Sequence, residues 1–171
     1  MPRSFTGADV SAADGMRRAD KSDWPEIVKI SLEAFGASSW PWERWRPVLA
    51  PVAEAPSPTW ALVAEAPRGT ETGAAPPLAG FLVLQIVPGE LEIQALAVAN
   101  AWRRRGWGTR LLEAACQRGR AAGCESALLE VRRSNLAAQE FYRHRGFEIY
   151  ALRPGYYHSP VEDALLMRKP L

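Results

Sequence analysis

Leu96-Ala-Val-Ala-Asn-Ala-Trp-Arg-Arg-Arg-Gly-Trp-Gly-Thr-Arg110 is the segment around which the rest of the chain can be interpreted. Its apolar start is typical of a buried strand, and its basic turn leads into a helix predicted to begin near Thr109. Such a turn leaves backbone N–H groups without intrahelical partners at the positive end of the helix dipole. Gly106 and Gly108 allow close approach to the main chain, and the arginines at 103–105 add positive potential. The segment therefore predicts a pyrophosphate cradle; the alternative is an ordinary strand-to-helix turn with solvated arginines.

Two common phosphate-binding patterns do not fit this turn. A P-loop needs a lysine followed by serine or threonine after its second glycine, whereas Gly108 is followed by Thr109 and Arg110. The dinucleotide-binding pattern needs a third glycine three residues after the second, and this position is Leu111. The pattern that remains is Arg103-x-x-Gly106-x-Gly108.

The composition is typical of one globular domain that acts on a small anionic ligand. For 171 residues with a net charge of +2, we expect a flexible tail at 1–14 and a single domain at 15–171. The small net charge predicts neither a nucleic-acid nor a membrane partner. The two cysteines, Cys116 and Cys124, are interpreted as reduced packing residues of a cytoplasmic protein. Since the chain has only two histidines, we predict no metal site.

The order of the predicted elements indicates an α+β fold. The first three long strands are joined by connections too short for crossovers, which predicts an antiparallel meander. The helix after the cradle lies between two strands, which predicts a right-handed parallel crossover. We therefore predict a mixed, mostly antiparallel sheet of about six to seven strands with helices on both faces. The predicted elements are strands at 16–19, 59–64, 78–87 and 91–98, a helix at 109–122, a strand at 126–131, a helix from Ser134-Asn135 to Gly146, strands at 147–152 and 164–167, and, near the start, a helix opened by a capping box at 23–26.

Four blocks in this order resemble the GNAT superfamily of N-acetyltransferases. They are Leu96-Ala-Val98, the turn 103–109, Leu129-Glu-Val-Arg-Arg-Ser-Asn135 and Phe141-Tyr-Arg-His-Arg-Gly-Phe147. Within the superfamily the chain is most similar to the bacterial ribosomal-protein N-terminal alanine acetyltransferases (the RimI type). The closer features are the tandem Tyr156-Tyr157, the terminal Glu162-Asp-Ala-Leu-Leu-Met167, and Phe35 followed by Trp40-Pro-Trp42.

The resemblance implies acetyl-CoA as cofactor and a role for each matching position. The main chain of Leu96, Ala97 and Val98 would pair with the pantetheine arm like an added strand, and Asn135 would contact the cofactor. Glu130 would be the general base and Tyr142 the general acid. The pyrophosphate would be held by the backbone amides of Arg104, Arg105, Gly106, Trp107, Gly108 and Thr109.

The chemistry of amine acetylation is compatible with these residue types. An α-amine with a pKa near 8 is about 10% neutral at pH 7, so a modest base such as Glu130 is sufficient. A phenol such as that of Tyr142 can protonate the leaving thiolate. The alternatives are an ion pair of Glu130 with Arg132, Arg133 or Arg143, and a Tyr142 that only packs.

The aromatic pairs admit two interpretations each. Trp40 and Trp42, with Trp45 beside them, can pack a short helix onto the core or line an acceptor cleft, and a ring can do both. Tyr156 and Tyr157 can line the acceptor groove or only cover the sheet edge.

The predicted function is direct acetyl transfer to a protein N-terminal amine, with the N-terminal alanine of a ribosomal protein as the leading substrate. A small-molecule or lysine amine is the alternative acceptor. The alternative of another class is a non-catalytic acetyl-CoA sensor or partner-binding module, which would not need Glu130 or Tyr142. The sequence does not specify the oligomeric state.

Overall fold

The computed structural model describes residues 15–49, 58–67 and 77–171. The predicted tail at 1–14 lies outside these residues. A Gly/Thr/Pro-rich stretch at 68–77 predicts a surface hairpin loop, and all of it but Pro77 also lies outside them. The single domain stays a prediction. The strands are β1 (Met16–Arg18), β2 (Thr59–Glu65), β3 (Leu78–Val87), β4 (Glu90–Val98), β5 (Ser126–Arg132), β6 (Glu148–His158) and β7 (Val161–Pro170); the α-helices are α1 (Trp24–Phe35), α2 (Trp42–Trp45), α3 (Trp107–Ala121) and α4 (Leu136–Arg143). None of the described helices is long and apolar enough to cross a bilayer.

A seven-stranded sheet with the order β1-β2-β3-β4-β5-β7-β6 organises the fold. The pairs β1–β2, β2–β3, β5–β7 and β6–β7 are antiparallel, whereas β4 and β5 are parallel. Helix α3 connects the two parallel strands, because a parallel neighbour cannot be reached by a tight turn. The predicted α+β class with a mixed, mostly antiparallel sheet is confirmed.

The pairing between β4 and β5 covers only the first part of β4. Its register runs from Glu90 opposite Ser126 to Ile93 opposite Leu129. Strand β4 continues to Val98, so its last residues lie beyond those that pair with β5. A strand segment beyond its pairing partner can bind an extended ligand through main-chain hydrogen bonds.

The described residues divide into two compact units. The first comprises the described part of Met1–Gln85 together with Ala95–Ala115. Its core is built around Trp45 and Phe81, whose rings meet edge to face at 5.2 Å and are both essentially inaccessible to solvent. Truncation of either ring to alanine should lower the free energy of unfolding by about 3–5 kcal/mol, so this pair anchors the unit.

Helix α1 begins at the predicted position, with Asp23 as its N-cap and Pro25 in its first turn. The Asp23 side chain makes no capping bond to α1, so the predicted capping box at 23–26 does not form. A capping box lies one turn earlier instead, on a short 3-10 turn: the Asp20 side chain accepts from the Ser22 amide, and Asp23 accepts from the Asp20 amide at 2.9 Å. Two nitrogens of Arg17 also donate to the buried Asp23 carboxylate at 2.7 Å, which compensates its charge.

The second unit comprises Ile86–Gln94 and Cys116–Leu171. Both cysteines lie in it, buried and outside any disulfide, with Cys116 2% and Cys124 6% exposed. Burial, with Glu90 nearby, raises the pKa of the Cys124 thiol. These positions agree with the predicted packing role.

Strand β6 corrects the prediction that Arg153–Tyr157 forms a loop between two closing strands. The strand runs without interruption through Pro154 and Gly155, and its register with β7 shifts between Arg153 and Tyr157. The Gly155 amide donates to the Asp163 carboxylate at 3.0 Å, which replaces a regular ladder bond. A proline and a glycine thus mark an irregularity within a hairpin here, not its end.

Candidate active site

The predicted cradle in the first unit is the turn that opens helix α3. Arg104 and Gly106 both have left-handed backbone, with φ of 62° and 82°. The amide of Arg110 donates to the Gly106 carbonyl at 3.0 Å, which is the first bond of the helix. The amides of Trp107 and Gly108 precede that bond, and no acceptor for them is found within the described residues. The turn thus offers backbone donors at a helix N-terminus, which is the geometry that binds phosphate oxygens.

Two arginines around this turn lie against indole rings. The guanidinium of Arg105 lies 5.0 Å from the ring centroid of Trp102, and that of Arg110 lies 4.3 Å from the ring of Trp107. The two tryptophans meet edge to face at 6.3 Å. The arginines at 103–105 are all exposed, so the alternative of a solvated arginine run stays open beside the cradle.

The end of strand β4 lies against β3 without room for a side chain between them. A Cβ added to Gly80 would lie 2.4 Å from the Ala97 carbonyl oxygen. Arg103 Nε donates to the Val98 carbonyl at 3.2 Å, which fixes the strand end relative to the cradle. Sequence reasoning missed Gly80, although an isolated glycine inside a strand pattern signals close backbone approach.

In the second unit, the predicted base Glu130 makes an ion pair with Arg153. Arg153 Nη1 donates to Glu130 Oε1 at 2.5 Å, and the two side chains are 50% and 29% exposed. The guanidinium also lies 4.9 Å from the ring centroid of Tyr156. We call Arg153, Tyr156 and Glu130 the open group. An ion pair was foreseen for Glu130 only with Arg132, Arg133 or Arg143, so its actual partner was missed.

The predicted acid Tyr142 is buried on helix α4, between the rings of Phe141 and Phe147 at 5.1 and 5.6 Å. No hydrogen bond of its hydroxyl is found within the described residues. Burial, together with the neighbouring Tyr157, raises the pKa of Tyr142 well above its ordinary value. The phenol therefore stays protonated at neutral pH, and its raised pKa makes it a weaker acid than an exposed tyrosine.

Tyr157 shares the raised pKa of Tyr142. Burial, with Glu130 as the next contribution, raises the pKa of Tyr157 to about 12. The same side chain contributes to the raised pKa of Tyr142. Glu130, Tyr142 and Tyr157 all belong to the second unit.

A second set of the same residue types lies beside the open group. The guanidinium of Arg132 lies 4.1 Å from the ring centroid of Tyr157, and its Nη1 donates to Glu162 Oε2 at 3.1 Å. Arg132 also donates to the Ser159 carbonyl at 3.3 Å, while the Ser134 amide donates to Glu162 Oε1 at 2.5 Å. Hydrogen bonds from Ser134 lower the pKa of Glu162, and Arg132 adds to that effect. We call Arg132, Tyr157 and Glu162 the braced group.

Asn135 caps helix α4, as its Oδ1 accepts from the Ala138 amide at 3.1 Å. Its predicted contact with the cofactor stays a prediction.

A shallow depression of about 550 Å³ beside the braced group is lined by Arg133, Ser134, Pro160, Val161, Glu162 and Asp163. None of the predicted site residues lines this depression.

The two aromatic pairs belong to different units. Trp40 is half-buried against Trp45 at 5.4 Å with the Arg44 guanidinium 3.6 Å from its ring, and Trp42, 38% exposed, packs on Trp24 at 4.8 Å. Packing of these rings onto the first unit's core is therefore observed. An acceptor groove lined by Trp40, Trp42, Tyr156 and Tyr157 together stays a prediction.

Comparison with known proteins gives a family match over most of the chain. A sequence model described as the acetyltransferase (GNAT) family matches residues 22–147. The ribosomal protein bS18-alanine N-acetyltransferase of Salmonella typhimurium is 35% identical over 96 residues, which are 55% of this chain and 65% of that protein. An uncharacterized protein of Mycobacterium leprae is 44% identical over 82 residues, which are 48% of this chain and 22% of that protein. The chain thus spans less than two thirds of the length of either curated relative.

Solved structures agree in fold. The ribosomal-protein-S18-alanine N-acetyltransferase from Escherichia coli aligns with a TM-score of 0.71 at 26% identity, over 91% of this chain and 92% of that one. Arabidopsis thaliana NAA60 in complex with acetyl-CoA aligns with a TM-score of 0.77 at 16% identity, over 91% and 97% of the two chains. The second likeness shows a shared fold alone.

Proposed function

Because this chain belongs to the acetyltransferase (GNAT) family, we propose that it is an acetyl-CoA-dependent N-acetyltransferase that modifies a protein N-terminal amine. The N-terminal alanine of a ribosomal protein is the leading acceptor, since the curated relative of Salmonella typhimurium carries that activity in its name. We place the reaction in the cytoplasm. The activity, acceptor and location are all parts of this proposal.

The first unit carries the residues that fit the cofactor. The backbone donors of Trp107 and Gly108 at the start of α3 would hold the pyrophosphate, with Arg104, Arg105, Gly106 and Thr109 completing the turn. The main chain of Leu96, Ala97 and Val98 would bind the pantetheine arm as an added strand. When bound, acetyl-CoA supplies the acetyl thioester that the amine attacks.

The second unit carries the residues that would move protons. Glu130 Oε1 is engaged by Arg153, so Oε2 is the oxygen that would take the proton of the acceptor amine. The Tyr142 hydroxyl, which is protonated at neutral pH, would give its proton to the departing thiolate sulfur. Tyr157, whose ring stacks on Arg132 two residues along β5 from Glu130, would hold the acceptor.

One observation carries this proposal: the family match over residues 22–147 includes the cradle together with Glu130 and Tyr142. A sensor or binding module needs only the cradle and has no use for a carboxylate and a phenol at these positions. Their presence supports an enzyme over the non-catalytic alternative. It does not choose between a peptide and a small amine.

The experiment that tests the proposal is CoA thiol release with short peptides that differ only in their first residue, beside polyamines, aminoglycosides and a lysine-containing peptide blocked at its N-terminus. Turnover that favours an N-terminal alanine is the expected result. Turnover restricted to small amines or to the blocked peptide overturns the acceptor assignment and leaves the transferase assignment intact. Binding of acetyl-CoA without turnover of any amine overturns the enzyme assignment.

A further inference from the structure

Residues 99–103, which we call the linker, connect the end of strand β4 to the cradle. The proposed site binds the pantetheine arm on the main chain of 96–98 and the pyrophosphate on the amides of 104–109. Both groups belong to one ligand, so they bind together at full strength only when the linker holds these two parts of the site at a fixed separation. The bonds that fix the linker therefore affect cofactor affinity.

The bonds inside the linker keep it compact. The Trp102 amide donates to the Ala99 carbonyl at 2.8 Å in the 3-10 turn Asn100–Trp102. Arg103 Nε donates to the Val98 carbonyl at 3.2 Å. These bonds join the linker to itself and to the strand end, but they do not join it to another element of the fold.

Within the described residues, two hydrogen bonds attach the linker to other elements of the first unit. The Ala99 amide donates to the Ala79 carbonyl of β3 at 2.9 Å. The Asn100 amide donates to Glu33 Oε2 of helix α1 at 3.0 Å. Because no side chain of the linker itself caps its 3-10 turn, Glu33 supplies the acceptor for an amide at the start of that turn.

Helix α1 gives Glu33 a fixed base. Ile30 is buried in the first unit's core, and the Phe35 ring meets Phe81 of β3 edge to face at 6.5 Å. Ala79 lies on the same strand as Phe81, so both attachments of the linker start from one packed region. The Glu33 side chain itself is exposed, so a substitution there leaves the core packing unchanged.

We propose that Glu33 is a positioning residue for the cofactor. By accepting from the Asn100 amide, it holds the linker so that the strand end and the cradle bind the two parts of acetyl-CoA together. Within the described residues, no hydrogen bond joins Glu33 to 96–98 or to 104–109, so it acts through the linker. This inference rests on the proposed function, because it takes these two segments as the cofactor site.

The test is calorimetric titration of acetyl-CoA and of two partial ligands into the wild-type protein and three variants. Pantetheine carries the arm alone, and adenosine diphosphate carries the pyrophosphate alone. The variants are Glu33→Ala, Glu33→Gln and, as the matched control, Glu26→Ala. Glu26 lies in the first turn of the same helix, so its removal changes the net charge equally and weakens a favourable interaction with the helix dipole. Thermal unfolding of all four proteins measures stability separately.

We expect the Kd of acetyl-CoA to rise about five- to 20-fold in Glu33→Ala, because the linker loses an attachment. Glu33→Gln should stay within about twofold of the wild type, since an amide oxygen also accepts from a backbone N–H. The Kd values of pantetheine and adenosine diphosphate should change less than about twofold in Glu33→Ala, because each uses only one part of the site. Glu26→Ala should keep the wild-type Kd of acetyl-CoA even where its Tm is lower.

An unchanged Kd of acetyl-CoA in Glu33→Ala overturns the inference and leaves the proposed activity standing. Equal weakening of acetyl-CoA and of the partial ligands also overturns it, because that pattern shows general damage to the site. No turnover of any amine, with the expected pattern present in the titrations, rejects the activity and supports the role of Glu33. A wild-type protein that does not bind acetyl-CoA overturns both.

Discussion

The open group and the braced group contain the same three residue types and differ in how firmly these are held. In the braced group Glu162 accepts from a backbone amide and from Arg132, and the two charged side chains are 17% and 22% exposed. In the open group one partner of Glu130, Arg153, is found in the described part of the chain, and the pair is 29% and 50% exposed. The number of bonds on each carboxylate separates a structural ion pair from one that a ligand can replace.

The comparison also separates the two tyrosines. Arg132 is held by Glu162 and by the Ser159 carbonyl, so the Tyr157 ring beneath it has a fixed neighbour. Arg153 is held by Glu130 alone among the described carboxylates, and its guanidinium lies farther from the Tyr156 ring, at 4.9 Å. We therefore expect the braced group to position the acceptor and the open group to exchange partners with it.

The largest expected effect comes from Glu130→Gln, with Glu162→Gln as the matched variant. Glu130→Gln should lower kcat by about 100-fold or more because it removes the proton acceptor, with acetyl-CoA affinity and Tm nearly unchanged. Glu162→Gln should lower Tm while kcat falls less than about tenfold, because it weakens two hydrogen bonds of the hairpin. Thiol release, cofactor titration and thermal unfolding measure the three quantities. Equal losses of kcat in the two variants would remove the distinction between the groups.

Tyr142→Phe tests the hydroxyl that neither group engages. We expect kcat to fall about ten- to 100-fold because the leaving sulfur loses its proton donor. Stability should stay within about 0.5 kcal/mol, since the hydroxyl makes no hydrogen bond within the described residues. Steady-state rates and urea unfolding provide the measurements. A fully active Tyr142→Phe protein would show that another group donates the proton to the leaving sulfur.

Arg132→Gln and Arg153→Gln should change the acceptor KM in opposite directions. Loss of Arg132 frees the Tyr157 ring and should raise KM about fivefold, whereas loss of Arg153 should lower it about two- to fivefold. Arg132→Lys keeps the charge beside Glu162 but not the flat stacking surface, and should resemble Arg132→Gln. Initial rates with one alanine peptide are sufficient. A rise of KM in both variants would show that the two arginines affect acceptor binding in the same way.

The smallest effect at neutral pH concerns the ionisation of Tyr157. Its folded pKa of about 12 lies above the ordinary value of 10, so the unfolded chain loses this proton first. Stability should therefore be unaffected by Tyr157 below about pH 10 and should fall as the pH rises above it. Urea unfolding of the wild type and of Tyr157→Phe between pH 8 and about 11.5 compares the slopes. A free energy of unfolding that falls more steeply above about pH 10 in Tyr157→Phe than in the wild type would contradict the predicted direction of this effect.

Much of the fold could be predicted because it depends on local signals. Hydrophobic patterning placed β3 at its observed bounds, and glycine-containing turns marked the start of α3 and its end near Gly123. Asn135 was recognised as a cap from its position alone, and the structure shows the bond it makes. These features need only the neighbouring residues to be recognised.

What was missed depends on contacts between distant strands. Arg153 reaches Glu130 from a strand that is separated from β5 by β7, and no spacing in the sequence encodes that distance. Pro154 and Gly155 were interpreted as a loop because they usually end a strand, but Asp163 supplies the acceptor that keeps β6 continuous. The sequence could indicate which residue types are available for chemistry, but not which of them pair.

The two buried cysteines have a practical consequence for all of these measurements. A disulfide reagent that detects released CoA reacts with accessible thiolates, and Cys116 and Cys124 are 2% and 6% exposed. The native protein should therefore add only a constant background to the absorbance that the reagent produces. A variant that begins to unfold would reveal itself by a slow excess of up to two thiols per chain before any acceptor is added. The same assay can thus report both the rate of acetyl transfer and whether the variant is folded.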